Sequence, residues 1–207
     1  MKINIKTRLF LAAIAIAVSG CAKEDDTQLQ EFNAVLFQEN FTDNTDNTDL
    51  NTAGWINFNE IGTKRWTEQK FYDNGYAEFS SFGSGQLVNV GWLISPKLDM
   101  DLNEGEKMVF TTAQSFLRSR ENALELLVST NFDGINVLAA DWVVVPAVTA
   151  TFESPRFDLV SSGEINLSKF NGKLNFAFRV KGSGTNSNLT GTYQVDNISV
   201  YYPSNVK

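Results

Sequence analysis

The chain has 207 residues, a formal net charge of −7 at pH 7, no histidine and a single cysteine. Without histidine there can be no Ser-His-Asp or Cys-His nucleophile, none of the usual zinc ligand sets, and no use of the commonest general base. The acidic balance argues against nucleic-acid partners, and one cysteine cannot form an intramolecular disulfide.

Residues 1–20 read as a signal peptide: Lys2, Lys6 and Arg8 make a basic start, and the uncharged run from Leu9 to Val18 is too short to span a bilayer. Val18-Ser19-Gly20-Cys21 follows, small residues before a cysteine, and resembles the bacterial lipobox. The alternative is an ordinary secretory signal with a chance cysteine. On the lipobox reading Cys21 is the first mature residue, carries covalent lipid, and ties the protein to a membrane. Residues 21–33 are expected to be a flexible linker, opened by the acidic cluster Ala22-Lys23-Glu24-Asp25-Asp26. That cluster also resembles the surface-export signal of lipoproteins in some Gram-negative bacteria, so the expected location is the outer membrane with display at the cell surface. The remainder, 34–207, suits a single domain that buries about 70% of its unfolded surface.

From Ala34 the pattern turns to strand, with Val35, Phe37, Glu39 and Phe41 on one parity. Glu39 is out of place there: a carboxylate on an apolar parity must lie at an edge, be paired, or bind a cation. Thr42 to Asp49 is a Thr-Asp-Asn tandem, read as a solvated loop because its acids do not recur with the spacing of a helix-loop-helix calcium site. Trp55, Phe58, Trp66, Phe71, Tyr72 and Tyr76 then crowd together, with Asn74-Gly75 as a hairpin turn signal. Any of these rings could offer a flat face to a sugar, although most are expected to pack. Trp66, preceded by Lys64 and Arg65, is the one expected to be exposed and to bind ligand.

Val88 to Asp99 is the expected central strand, with Val90, Trp92 and Ile94 facing the core and Pro96 ending it. Leu98 and Met100 are expected to return to that same core. Further strands are expected over Glu106 to Leu117, Ala123 to Ser129 and Trp142 to Val145. Leu174, Phe176, Phe178 and Val180 alternate cleanly with polar or small residues, and Gly182 to Asn188 is a loop. In the last strand Tyr193 and Val195 share one parity while Ile198, Val200 and Tyr202 share the other, so one residue must be inserted near Asp196-Asn197. Many short strands, Gly and Asn turns, and no long helical stripe outside the signal segment indicate an all-β fold, an antiparallel sandwich.

The order Leu36-Phe37-Gln38-Glu39-Asn40-Phe41, Gly54-Trp55, Gly91-Trp92-Leu93-Ile94-Ser95-Pro96, Val128-Ser129-Thr130, Ala177-Phe178-Arg179 and Tyr193-Gln194-Val195-Asp196-Asn197-Ile198 resembles the choice-of-anchor J domain. The resemblance spans nearly the whole mature chain. It implies a jelly-roll β-sandwich related to bacterial adhesin and carbohydrate-binding domains, often secreted or lipid-anchored. Related jelly rolls place a structural calcium near their terminal strands, which makes Glu39 and Asp196 candidate metal ligands. The alternative is a solvated Glu39 and an Asp196 that accepts turn hydrogen bonds. The function expected is a non-catalytic, surface-displayed binding module for glycan or host ligands, with a glycosidase working through two carboxylates left open. A structural lipoprotein that docks to an envelope protein is the alternative.

Overall fold

The computed structural model describes residues 32–43 and 45–204, and collects their alternating apolar side chains between two antiparallel sheets. The segment read as a signal peptide, Cys21 and the acidic cluster lie outside the described residues. The first strands are β1 (Phe32–Glu39), β2 (Thr48–Asp49), β3 (Ile56–Ile61), β4 (Thr67–Phe71) and β5 (Asn74–Ser80). β6 (Asn89–Ile94), β7 (Leu98–Asp99), β8 (Lys107–Ser115) and β9 (Leu124–Ser129) follow. After a single 3-10 turn at Val137–Ala139 come β10 (Val143–Val145), β11 (Val160–Ser161), β12 (Ile165–Asn166), β13 (Lys173–Gly182) and β14 (Thr192–Ser204). β1 already begins at Phe32, inside the span expected to be linker.

The larger sheet has the order β11-β8-β14-β5-β4-β2, with β1 also on β14 and β12 also on β8. The smaller runs β10-β9-β13-β6-β3, with β7 on β13. The inner faces meet in one core, where Phe79, Phe110, Phe176, Phe178, Tyr193 and Val195 are buried together. Phe110 and Phe178 cross edge to face at 5.0 Å between ring centres, the geometry that aromatic quadrupoles favour. Tyr193 donates its hydroxyl to the Asn122 carbonyl at 2.9 Å, and burial pushes its pKa up to about 12.

Three expectations need correction. First, Val90, Trp92 and Ile94 do not face the inter-sheet core. They lie on the other side of the smaller sheet, in a second apolar cluster with Phe132 and Val137. The segment around Asn131 to Trp142 covers them, held by Asn131, which donates to Asp141 at 2.8 Å, and by the Trp142 indole, which donates to the Val137 carbonyl at 2.8 Å. Leu93, Leu98 and Met100 are the residues that join the main core. A strand buried on both faces normally reads as a continuous apolar run, but here the core-side positions include Asn89 and Gly91, the latter lying under the Phe79 ring, so β6 keeps a half-buried alternation.

Second, Asn74-Gly75 is not the hairpin turn. Phe71 pairs with Asn74 and Lys70 with Gly75, so the turn is Tyr72-Asp73. Gly75 is required for a different reason: a Cβ there would stand 1.8 Å from the Phe41 carbonyl oxygen, a backbone atom that cannot swing away. Third, Val35 is exposed, because the β1 register shifts between Val35 and Phe37 and puts them on different sides. The irregularity in the last strand is where the parity break placed it: the register of β14 on β8 shifts between Asp196 and Ser199, and Asn197 takes a left-handed φ of 52°.

Candidate functional site

Strand alternation makes β14 two-faced. Tyr193 and Val195 enter the core, so Thr192, Gln194 and Asp196 point out of the larger sheet, and on β5 the residues Tyr76, Glu78 and Ser80 do the same. The ladder brings them opposite each other. Thr192 faces Ser80 and donates its hydroxyl to Ser80 Oγ at 2.8 Å; Gln194 faces Glu78 and donates its amide to Glu78 Oε2 at 2.9 Å. On the neighbouring β8 the residues opposite Thr192, Gln194 and Asp196 are Ser115, Ala113 and Thr111, all small. The result is a polar floor, half-buried along Tyr76, Glu78 and Ser80 and almost fully buried along Thr192, Gln194 and Asp196.

Walls rise at both ends. One hollow of about 480 Å³ is bounded by Phe71, Tyr76, Phe157 and Leu159 over Gln194 and Asp196. A second, of about 470 Å³, is bounded by Phe82, Phe116, Arg118 and Thr185 over Ser80 and Thr192. Since Ser80 and Thr192 lie two residues from Glu78 and Gln194 on the same strands, the two hollows lie one after the other on the same sheet face, a groove in two parts. Its length follows the seven residues of β5, about 20 Å at strand rise.

The rim is backbone-strained. Among the described residues, six other than glycine have a positive φ; two of them, Phe116 at 61° and Phe157 at 66°, are exposed rings lining the hollows, and a third, exposed Tyr72 at 53°, stands against Phe71. A left-handed backbone costs a residue with Cβ of order 1–3 kcal/mol, and it persists only where its surroundings hold it. Tyr72 packs edge-on against Phe71 at 4.7 Å, while the Phe157 amide donates to the Gln114 carbonyl at 2.8 Å. Water-facing rings on strained backbone contribute little to a core, so their placement has to be explained by what they meet in solution.

Trp66 is not among them. It is fully buried, with its ring 5.6 Å from that of Phe79. Asn57 is the cause: its Oδ1 accepts the Trp66 amide at 3.0 Å and its Nδ2 donates to the Trp66 carbonyl at 2.8 Å, which turns the indole inward. The polar neighbours that suggested exposure point the other way, Arg65 reaching Asp49 and the Asn57 carbonyl. Trp66 therefore cannot stack on a ligand, and the exposed rings among the described residues are Phe71, Tyr72, Phe82, Phe116, Phe152 and Phe157. No period in the sequence marked these, since each lies at a strand end or in a loop.

Glu39 and Asp196 do come near one another. Glu39 accepts from the Phe41 amide at 2.8 Å and the Trp55 indole at 3.2 Å. Asp196, almost fully buried, accepts from the Asn197 amide at 2.6 Å and from Asn74 Nδ2 at 3.0 Å. Its pKa lies above the usual carboxylate range, first because burial disfavours charge and then because the Glu39 charge repels it. Among the described residues no three acidic, cysteine or histidine side chains gather as a metal cage. A hard cation here would find the carboxylates of Glu39 and Asp196 and the Asn74 amide oxygen, where calcium takes six to eight oxygens in all, and its charge would relieve the repulsion.

No protein-family model matches the chain, and no curated protein matches it. Solved structures do. The chain is similar to the K1 cleaved adhesin domain of Lys-gingipain from Porphyromonas gingivalis W83 at 16% identity and TM-score 0.50, covering 81% of this chain and 98% of that one. It is similar to the K2 cleaved adhesin domain of Lys-gingipain at 14% identity and TM-score 0.51, covering 80% and 98%. A carbohydrate-binding module described by its mannan recognition, TmCBM27, aligns at 13% identity and TM-score 0.47 over 84% of this chain. The fold is thus a jelly-roll-like β-sandwich of the kind found in those adhesin domains. At these identities the likeness concerns fold alone.

The floor carries a pH signature. Burial holds the Glu78 carboxyl above its ordinary 4.5, and the Gln194 hydrogen bond only partly offsets this. A carboxyl raised in the folded state binds protons better there than in the unfolded chain. Its favourable contribution is complete below pH 4.5 and lost as pH rises through the folded pKa. Glu78→Gln keeps an acceptor for Gln194 and removes the charge. Thermal melts should therefore show Glu78→Gln more stable than the parent at pH 7, with the gap closing by about pH 4. A parent protein that melts higher at pH 7 contradicts the assignment.

Proposed function

We propose that the protein is a non-catalytic glycan-binding module of the choice-of-anchor J type, anchored by lipid on Cys21 and displayed at the outer-membrane surface. The observation that carries the glycan reading is the outer face of β5 and β14, a polar floor ringed by aromatic side chains on strained backbone. Hydroxyl, amide and carboxyl groups from Ser80, Thr192, Gln194 and Glu78 are suited to sugar hydroxyls, and the rings are suited to the apolar C–H faces of pyranoses. The open groove suits an extended chain of sugars more than a small enclosed ligand. Adhesin domains among the solved structures support an attachment role, and the motifs from Leu36 to Phe41 and Tyr193 to Ile198 support the family resemblance. Calcium held by Glu39 and Asp196 would brace β1 against the bulge of β14, directly beside the groove.

Each part has its own test. The purified protein should be retained by at least one polysaccharide in affinity electrophoresis. Phe116→Ala and Phe71→Ala should each weaken that binding about tenfold, the cost of one lost stacking surface. Trp66→Phe should leave it intact. Retention by no glycan, together with one stoichiometric envelope protein in a pull-down, would overturn the glycan reading in favour of protein docking.

For the metal, a site that binds only the folded state adds about 2.7 kcal/mol at a hundredfold excess of calcium over Kd. That is a rise in Tm of about 5–10 °C for a domain this size. Chelator should reverse it, and Asp196→Asn should abolish the difference; an unchanged parent melting curve contradicts the site. For the anchor, Cys21→Ala should move the protein from the membrane fraction to the soluble one. If it still sediments with membranes, the lipobox reading is wrong.

A further inference from the structure

The two ends of the groove differ in charge. At the Tyr76 end stand Asp196 and Glu78, whose ionised forms repel anions. At the other end the charged lining residue is Arg118. The described arginines are otherwise engaged: Arg65 pairs with Asp49, Arg120 with Glu153 at 2.8 Å and Arg179 with Glu125, and Arg156 lies 4.5 Å over the Phe116 ring. Among the described residues Arg118 is the one arginine with no carboxylate, hydrogen bond or ring to engage it. Its guanidinium is exposed beside Phe82 and Phe116, 73% and 53% exposed, in a hollow of about 470 Å³ that also offers the hydroxyls of Thr185 and Ser187.

We propose that this end of the groove takes the carboxylate of an acidic sugar, a sialate or uronate residue that caps an otherwise neutral oligosaccharide. The inference rests on the glycan reading above and names the class of ligand for it. A planar guanidinium presents parallel N–H donors that match a carboxylate in a bidentate pair, which a neutral sugar cannot supply. The ring of Phe116 or Phe82 takes the apolar face of the same residue. Neutral residues then extend along Thr192 and Gln194 toward the acidic end, where a second carboxylate would be repelled. The groove is thereby directional: acidic cap at Arg118, neutral stem over Gln194.

Isothermal titration of the purified protein with matched pairs tests this, sialyllactose beside lactose and glucuronosyl-xylotriose beside xylotriose, with tetragalacturonate as a uniformly charged probe. The acidic member of one pair should bind about tenfold more tightly than its neutral partner, the gain expected of one hydrogen bond to a charged group. Which pair responds tells sialate from uronate. Arg118→Gln should erase the difference, Arg118→Lys should recover only part of it, and tetragalacturonate should bind more weakly than the favoured capped ligand. Equal affinity within both pairs, or a preference that survives Arg118→Gln, overturns the inference and leaves the glycan reading standing. No binding of any member by protein that a thermal melt shows to be folded, and no retention by any polysaccharide, overturns both.

Discussion

The antiparallel ladder between β14 and β5 is the contact on which the rest of the structure depends. Its inward pairs, Tyr193 with Phe79 and Val195 with Ala77, sit in the inter-sheet core. Its outward pairs, Thr192 with Ser80 and Gln194 with Glu78, make the floor of the groove. Because strand side chains alternate, a slip of one residue would send Tyr193 to solvent and Gln194 into the core. Apolar burial therefore fixes the position of the polar groups that no apolar force could place. β14 also carries β8 on its other side and β1 beyond the bulge, so one strand ties the N-terminal strand, the core and the groove together.

The bulge lets β14 serve two regions. Before it Tyr193 and Val195 face inward, and after it Ile198 and Val200 do, on the opposite parity. The extra residue leaves Asp196 almost fully buried in a knot with Asn74, Asn197 and the Thr111 hydroxyl, which donates to the Asp196 carbonyl at 3.1 Å. Buried charge of this kind weakens the fold unless it is answered, and here amide donors answer it in part. Strain at Tyr72, Phe116 and Phe157 runs in the same direction. Stability is given up at the surface of one sheet face, while the opposite face of the sandwich is covered by its own apolar cluster.

Much of the fold was legible in the sequence because it rests on period. The alternation of Leu174, Phe176, Phe178 and Val180 and the parity break at Asp196-Asn197 translate directly into β13 and the bulge of β14. Period fails where one pattern has two physical causes. Val90, Trp92 and Ile94 alternate as core residues do, yet it is the Asn131 to Trp142 segment that covers them. Asn74-Gly75 has turn chemistry, yet Gly75 is a glycine because the Phe41 carbonyl leaves no room for a side chain. The site was less legible still. Trp66 is turned inward by Asn57, nine residues away in sequence, through side-chain hydrogen bonds that no apolar period marks. The rings that do reach solvent sit in turns and loops, and their exposure follows from backbone dihedrals that residue types alone do not announce.

The central claim is that the outer face of β5 and β14 is the surface through which this sandwich meets its ligand. Amide chemical-shift mapping of the isotope-labelled protein, titrated with any polysaccharide fragment it retains, tests that most directly. The account predicts perturbed amides along Ser80, Thr192 and Gln194 and at the rim around Tyr72, Phe116 and Phe157. Perturbations gathered instead on the Asn131 to Trp142 cover of the smaller sheet would contradict it.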